Sequence, residues 1–223
     1  MTGTDTGVGK TVASAALMHR FRSPPGSRSS SGGPLRYWKP IQTGIEQDDD
    51  SADVRRLGVC GGDEVWDEGI RLPRPVSPHL AARLAGERIV LEALVAGLAG
   101  QPTPARWIVE GAGGILVPVN ERETMADLMV MLGLPVVVVA RTALGTINNT
   151  LLTLEALRAR SLTVAGVFLV GDAVPSNTAA IETYGRVPVV AELPRIGPLT
   201  PQALVHWAPQ LDRDGHLDPW IGH

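Results

Sequence analysis

The chain opens on residue types that can hold a polyphosphate: Gly3-Thr4-Asp5-Thr6-Gly7-Val8-Gly9-Lys10-Thr11. Glycines let consecutive backbone N–H groups point inward at phosphate oxygens, and a lysine neutralises the β- and γ-phosphates. A Ser/Thr hydroxyl at the head of the following helix holds Mg2+. Gly9, Lys10 and Thr11 fill the last of these positions, and five residues separate Gly3 from Gly9, a longer spacing than the usual loop has. The expected chemistry is ATP-dependent, with Gly3, Asp5, Thr6, Gly7, Val8, Gly9, Lys10 and Thr11 around the triphosphate and its Mg2+. Other reactive groups are sparse. Cys60 lies in a Gly-rich turn, where inert packing is expected, and His79, His206, His216 and His223 show no metal-ligand spacing.

Short β-rich runs alternating with helical patterns must position this loop, which predicts a mostly parallel sheet flanked by helices. Thr11 to Phe21 reads as the helix after the loop. Ser23 to Gly33 reads as a Pro/Gly/Ser connector, and a strand follows from Leu35 to Lys39, stopped by Pro40. Ser51 to Leu57 reads as a short helix, and Ser77-Pro78 as a helix start with Ser77 as its cap. Arg106 to Glu110 and Pro135 to Ala140 read as buried strands. Leu144 to Arg160 is the longest helix, with Leu151, Leu154 and Leu157 toward the sheet; Thr163 to Val170 and Val187 to Val190 supply further strands. Trp207 to His223 is polar and is expected to be a poorly ordered end.

Composition bounds the rest. A length of 223 residues with 44% hydrophobic side chains suits a single α/β domain over 1–223 that needs no staples. The lone cysteine excludes an intrachain disulfide and fits a reducing, cytoplasmic setting. A net charge of −3 gives no footprint for nucleic acid, and no apolar run suits a membrane span. One element is short. A phosphate loop normally follows a central strand, yet almost nothing precedes Gly3. The fold class expected is therefore P-loop NTPase-like α/β with its first strand missing or truncated. A start recorded several residues late is the expected cause, with a GTG codon read as Met1.

The phrase Thr2 to Thr11, with its longer spacing, resembles that of the dethiobiotin synthetase family. The resemblance continues through Tyr37-Trp38-Lys39-Pro40-Ile41-Gln42-Thr43-Gly44, Pro75-Val76-Ser77-Pro78-His79 and Glu110-Gly111-Ala112-Gly113-Gly114 to Leu144-Gly145-Thr146-Ile147-Asn148-Asn149, and so spans most of the chain. It implies a ligase that uses Mg-ATP to join CO2 to 7,8-diaminononanoate in biotin synthesis. In that reaction one substrate amine captures CO2 as a carbamate, which attacks the γ-phosphate. The second amine then closes the ring and expels phosphate.

The resemblance also implies roles. Lys10 and Lys39 are catalytic: Lys10 grips the β/γ-phosphates, and Lys39 lies between carbamate and γ-phosphate, offsetting their repulsion. Thr11, Glu110 and Asp50 hold Mg2+, with Asp53 the runner-up for Asp50 in the acidic loop. Thr6, Thr43 and Ser77 face substrate, Gly113 and Gly114 let it approach closely, and Gly111 and Gly113 border the bound nucleotide. Gly171, Asp172, Leu193 and Pro194 flank the nucleoside, although Val170-Gly171-Asp172 lacks the Asn that often reads adenine in the family. Leu144, Gly145 and Asn148, at a helix N-terminus, take the substrate's tail carboxylate from a neighbouring subunit, which implies a homodimer. A cobyrinate-type amidoligase is the rival enzyme, but the chain has no length for a glutaminase domain. A MinD/ParA-type switch would carry an extra lysine where Thr4 and Asp5 stand.

Overall fold

A computed structural model describes residues 1–22 and 33–221, so the expected connector from Ser23 lies outside the described residues except for Gly33. All pairings between its strands are parallel. β1 (Thr2–Gly3) pairs with β7 (Val136–Arg141), which continues to β8 (Val164–Val170) and β9 (Val189–Leu193). In a second sheet β2 (Leu35–Trp38) lies between β4 (Val65–Trp66) and β6 (Arg106–Val109). Met1 links the two sheets: its nitrogen donates to the Val109 carbonyl, and its own carbonyl accepts from Gly111 N–H at 3.0 Å. The first strand is thus present but only two residues long. Beyond Pro40 the chain forms β3 (Ile41–Thr43), paired with β5 (Ile70–Leu72).

Side chains alternate between two apolar layers, as a strand buried on both faces requires. Val137 and Val139 pack with α1 (Lys10–Phe21), α2 (Asp50–Leu57) and α8 (Pro201–Trp207). Val136, Val138 and Ala140 face the opposite layer. That layer is built from α3 (Pro78–Ala85), α4 (Leu91–Ala99), α5 (Met125–Leu132), α6 (Thr146–Arg158) and α7 (Pro175–Gly185). In α6, Leu154 and Leu157 are fully buried and Leu151 packs at the edge of the same layer. Across the β2 sheet, Trp38, Trp66 and Trp107, one from each strand, pack in series with ring centroids 4.8 and 5.6 Å apart.

Two local expectations need correction. Ser77 stands at the N-cap of α3, but its hydroxyl makes no capping hydrogen bond; its carbonyl accepts from Leu80 and Ala81 instead. The stretch after Trp207 is ordered through α9 (Asp218–Ile221). Leu211 and Leu217 are buried against the α1 layer, and the Asp212 carboxylate accepts from the N–H groups of His216 and Leu217. Apolar residues spaced too widely for a periodic pattern tie this end down. No helix among the described residues is long and apolar enough to cross a membrane.

Candidate active site

The phosphate loop, the end of β2, the head of α2 and the end of β6 converge. Gly9 begins α1 at φ 98°, a left-handed conformation that favours glycine. A Cβ on Gly3 would lie 2.6 Å from the Asp5 carbonyl oxygen, so the loop folds over a bare backbone there. Lys10 Nζ donates to that same carbonyl at 3.2 Å. Burial, then the nearby charge of Lys39, lowers the Lys10 ammonium to about 8. The Val8 side chain is buried in the α1 layer, leaving its backbone to the loop, while Asp5, Thr6 and Gly7 are exposed.

Lys39 emerges from β2 into this space and is only 3% exposed. Its Nζ lies 2.7 Å from Asp50 Oδ2 and 2.9 Å from Glu110 Oε1, and it donates to the Gly111 carbonyl at 3.2 Å. Burial opposes its charge, but Glu110 and Asp50 outweigh burial and raise its pKa. Asp50 shows the converse. Burial favours its neutral form, yet Lys39 and the Thr11 hydroxyl hold its carboxyl below the usual carboxylate range. Thr11 Oγ1 donates to Asp50 Oδ1 at 2.6 Å and lies 3.3 Å from Glu110 Oε1.

Glu110 is fully buried, and its second oxygen is satisfied from behind: Ser14 Oγ donates to Oε2 at 2.7 Å and Tyr37 OH at 3.1 Å. Burial, followed by the charges of Glu110 and Asp50, pushes the Tyr37 phenol well above its ordinary value, so it stays a donor. Of the acidic loop, Asp50 joins the cluster, whereas Asp49 caps α2 and Asp53 pairs with Arg56 at 2.6 Å. Gln42 Nε2 pins that loop by donating to the carbonyls of Asp48 (3.2 Å) and Thr43 (3.1 Å). Ser14, Tyr37 and Gln42 were not singled out from sequence. Tyr37 and Gln42 lie inside a quoted motif, but nothing local marks Ser14.

Among the described residues no group of three or more His, Cys, Asp or Glu side chains forms a metal cluster. What converges is a hydroxyl and two carboxylates, which fits Mg2+, a hard cation that keeps several waters and takes few protein oxygens. Beside the loop opens a cleft of about 460 Å3, lined among others by Gly3, Thr6, Gly114, Val117 and Asn149. Gly113, at φ 68°, lies against it, with Thr6 Oγ1 3.7 Å from the point where a Cβ would stand.

The other expected residues lie further out. Thr43 closes β3, and Ser77 starts α3. Leu144, Gly145 and Asn148 are exposed at the start of α6, away from the Lys39 cluster's own hydrogen bonds to Asp50, Glu110 and Gly111. Gly171 N–H donates to the Leu193 carbonyl at 2.8 Å, joining the ends of β8 and β9, and Pro194 is exposed just beyond. The Asp172 carboxylate is exposed, 3.7 Å from Arg195.

A family model described as an AAA domain matches residues 1–203. An ATP-dependent dethiobiotin synthetase BioD of Brucella ovis is 40% identical over 222 residues, covering 100% of this chain and 96% of the relative. The protein of the same name from Brucella melitensis biotype 2 matches with the same identity and coverage. Among solved structures, a ParA family ATPase from Chlorobium tepidum TLS aligns with a TM-score of 0.55 at 12% identity. That alignment covers 97% of this chain and 96% of the other, a likeness of fold alone.

Proposed function

We propose, on the premise that this chain belongs to the ATP-dependent dethiobiotin synthetase family, that the Lys39–Glu110–Asp50–Thr11 cluster is its reactive centre. The chain is a ligase of biotin biosynthesis that uses ATP to close the ring of dethiobiotin from 7,8-diaminononanoate and CO2. One observation carries the assignment of the centre: a buried lysine held between two carboxylates beside a phosphate loop.

In this reading the N–H groups of Gly3 to Gly9 and the Lys10 ammonium hold the triphosphate. Lys39, kept charged by Glu110 and Asp50, offsets repulsion between the substrate carbamate and the γ-phosphate. Thr11, Asp50 and Glu110 hold Mg2+, which when bound neutralises charge on the phosphate oxygens. The cleft beside Thr6 and Gly113 receives the diamine, with Thr43 and Ser77 toward its far side. Gly111, between Met1 and Lys39, sets the spacing of the floor. Gly171, Asp172, Leu193 and Pro194 border the nucleoside. Leu144, Gly145 and Asn148 offer a helix N-terminus to the tail carboxylate of substrate bound by a second subunit, which makes the enzyme a homodimer, and it works in the cytoplasm.

The test is direct. The purified protein incubated with diaminononanoate, bicarbonate, Mg2+ and ATP is expected to yield dethiobiotin by mass spectrometry. Turnover of ATP without dethiobiotin would overturn the reading.

A further inference from the structure

β7 ends on Arg141, and its register carries that arginine to the phosphate loop. Thr2 pairs with Val138 and Gly3 with Val139, and Thr4 N–H still bonds to the Val139 carbonyl at 2.9 Å. Continued two steps from Gly3, this register sets Asp5 opposite Arg141, and Arg141 Nη2 lies 3.4 Å from Asp5 Oδ2. On its other side Arg141 pairs with Val170 of β8. The Val170 methyls stand so close to the loop that a Cβ on Gly9 would lie 3.1 Å from both. Arg141 is therefore flanked on each side by a residue that belongs to the loop or touches it. By alternation with Val137 and Val139 it falls on the α1 face of the sheet. The cleft beside Thr6 is instead walled by Asn149 and Leu152 of α6, on the opposite face.

Both side chains of the Arg141–Asp5 pair are more than half exposed, and pairs of that kind add little to stability. Charge gives the arginine a use. The charges acting on Lys10 are Lys39, Glu110, Asp50 and Asp5, so two ammonium groups face three carboxylates where a polyanion must bind. Of the two, Lys39 is already engaged by Asp50 and Glu110. Meanwhile the other oxygen of Asp5 accepts from Thr6 N–H at 2.7 Å. A loop N–H and a guanidinium thus converge on one anionic group. Phosphate oxygens satisfy the same two kinds of donor with more charge, and the planar guanidinium matches them in geometry.

We infer that Arg141 grips the phosphate chain of the bound nucleotide, with Asp5 as its partner when nucleotide is absent. This role rests on the reading that ATP is the co-substrate of the site, and it does not depend on which acceptor the enzyme carboxylates. The exposed pair with Asp5 costs little to give up, so the arginine exchanges a carboxylate for phosphate as the nucleotide enters.

Calorimetric titration with ATP, without diaminononanoate, tests this apart from the overall reaction. Arg141→Gln is expected to weaken ATP binding by about tenfold to a hundredfold while leaving the Tm of the free protein unchanged. Arg141→Lys is expected to recover part of the loss, since it restores the charge without the fork. The same titrations in an Asp5→Asn background separate gripping phosphate from merely neutralising Asp5. A loss that persists there supports the inference; full ATP affinity in the Asp5→Asn, Arg141→Gln double variant overturns it. Unchanged ATP binding in Arg141→Gln, with a raised KM for diaminononanoate, overturns it too by assigning the arginine to the other substrate. ATP binding that behaves as expected in a protein that makes no dethiobiotin would sink the proposed function and leave this role standing.

Discussion

Lys39 Nζ stands 2.9 Å from Glu110 Oε1, and neither side chain is more than 4% exposed. A buried pair of this kind is costly to break, because removing one partner strands the other charge. Lys39→Ala is therefore expected to lower stability by about 3–5 kcal/mol and dethiobiotin formation by about a thousandfold. Lys10 and the loop remain, so nucleotide binding should persist. Parallel product assays and nucleotide titrations decide it; a loss below tenfold would refute the catalytic role of Lys39.

Glu110 needs its second oxygen held to keep the first toward Lys39 and Thr11. Ser14→Ala and Tyr37→Phe each remove one donor and are expected to cost about 1–2 kcal/mol in stability. Each should reduce kcat by about tenfold while leaving KM for ATP nearly unchanged. Steady-state kinetics that show a rise in KM with kcat intact would assign these residues to binding instead.

Gln42 acts one step further out by fixing the loop that carries Asp50. Gln42→Leu keeps its bulk but loses both donated bonds. We expect the Mg2+ concentration for half-maximal activity to rise about tenfold, as when an outer partner of a metal ligand is removed. Titrating Mg2+ at saturating ATP measures this, and an unchanged curve would show that the loop holds itself.

Cys60 gives a pH prediction away from the reaction. Burial raises its thiol to about 11, even though the Arg22 guanidinium, 3.3 Å from the sulfur, pulls the other way. Alkylation by iodoacetamide in the native protein should keep rising with pH beyond 9 rather than levelling there, because the thiolate is the nucleophile. The sign for stability follows. The folded state keeps this proton when the unfolded state has lost it, so the group's contribution falls as pH rises from about 9 to about 11. Rates that level off near pH 9 would contradict this.

The phosphate loop, its helix and the strands ending on Lys39 and Glu110 were legible because each is a contiguous run with a strong local pattern. Other parts depended on distant partners. Ser14 and Tyr37 meet Glu110 across 96 and 73 residues of chain, which no spacing reveals. The end beyond Trp207 looked polar because its anchors, Leu211 and Leu217, are isolated; burial against α1 orders it. α5 was not foreseen either, although its capping box, Thr124 with Asp127, was visible in principle.

The tryptophan series across the β2 sheet has an optical consequence. Trp38 immediately precedes Lys39 and is stacked on Trp66, whose ring in turn lies against Trp107. Indoles this close couple their electronic transitions, so near-ultraviolet circular dichroism reports their mutual tilt. Because Trp38 and Lys39 share a peptide bond, any displacement of the Lys39 backbone would also turn the Trp38 ring against its neighbour. The enzyme thus carries an intrinsic chromophore one peptide bond from the lysine assigned to its chemistry, and such a displacement can be followed without a label.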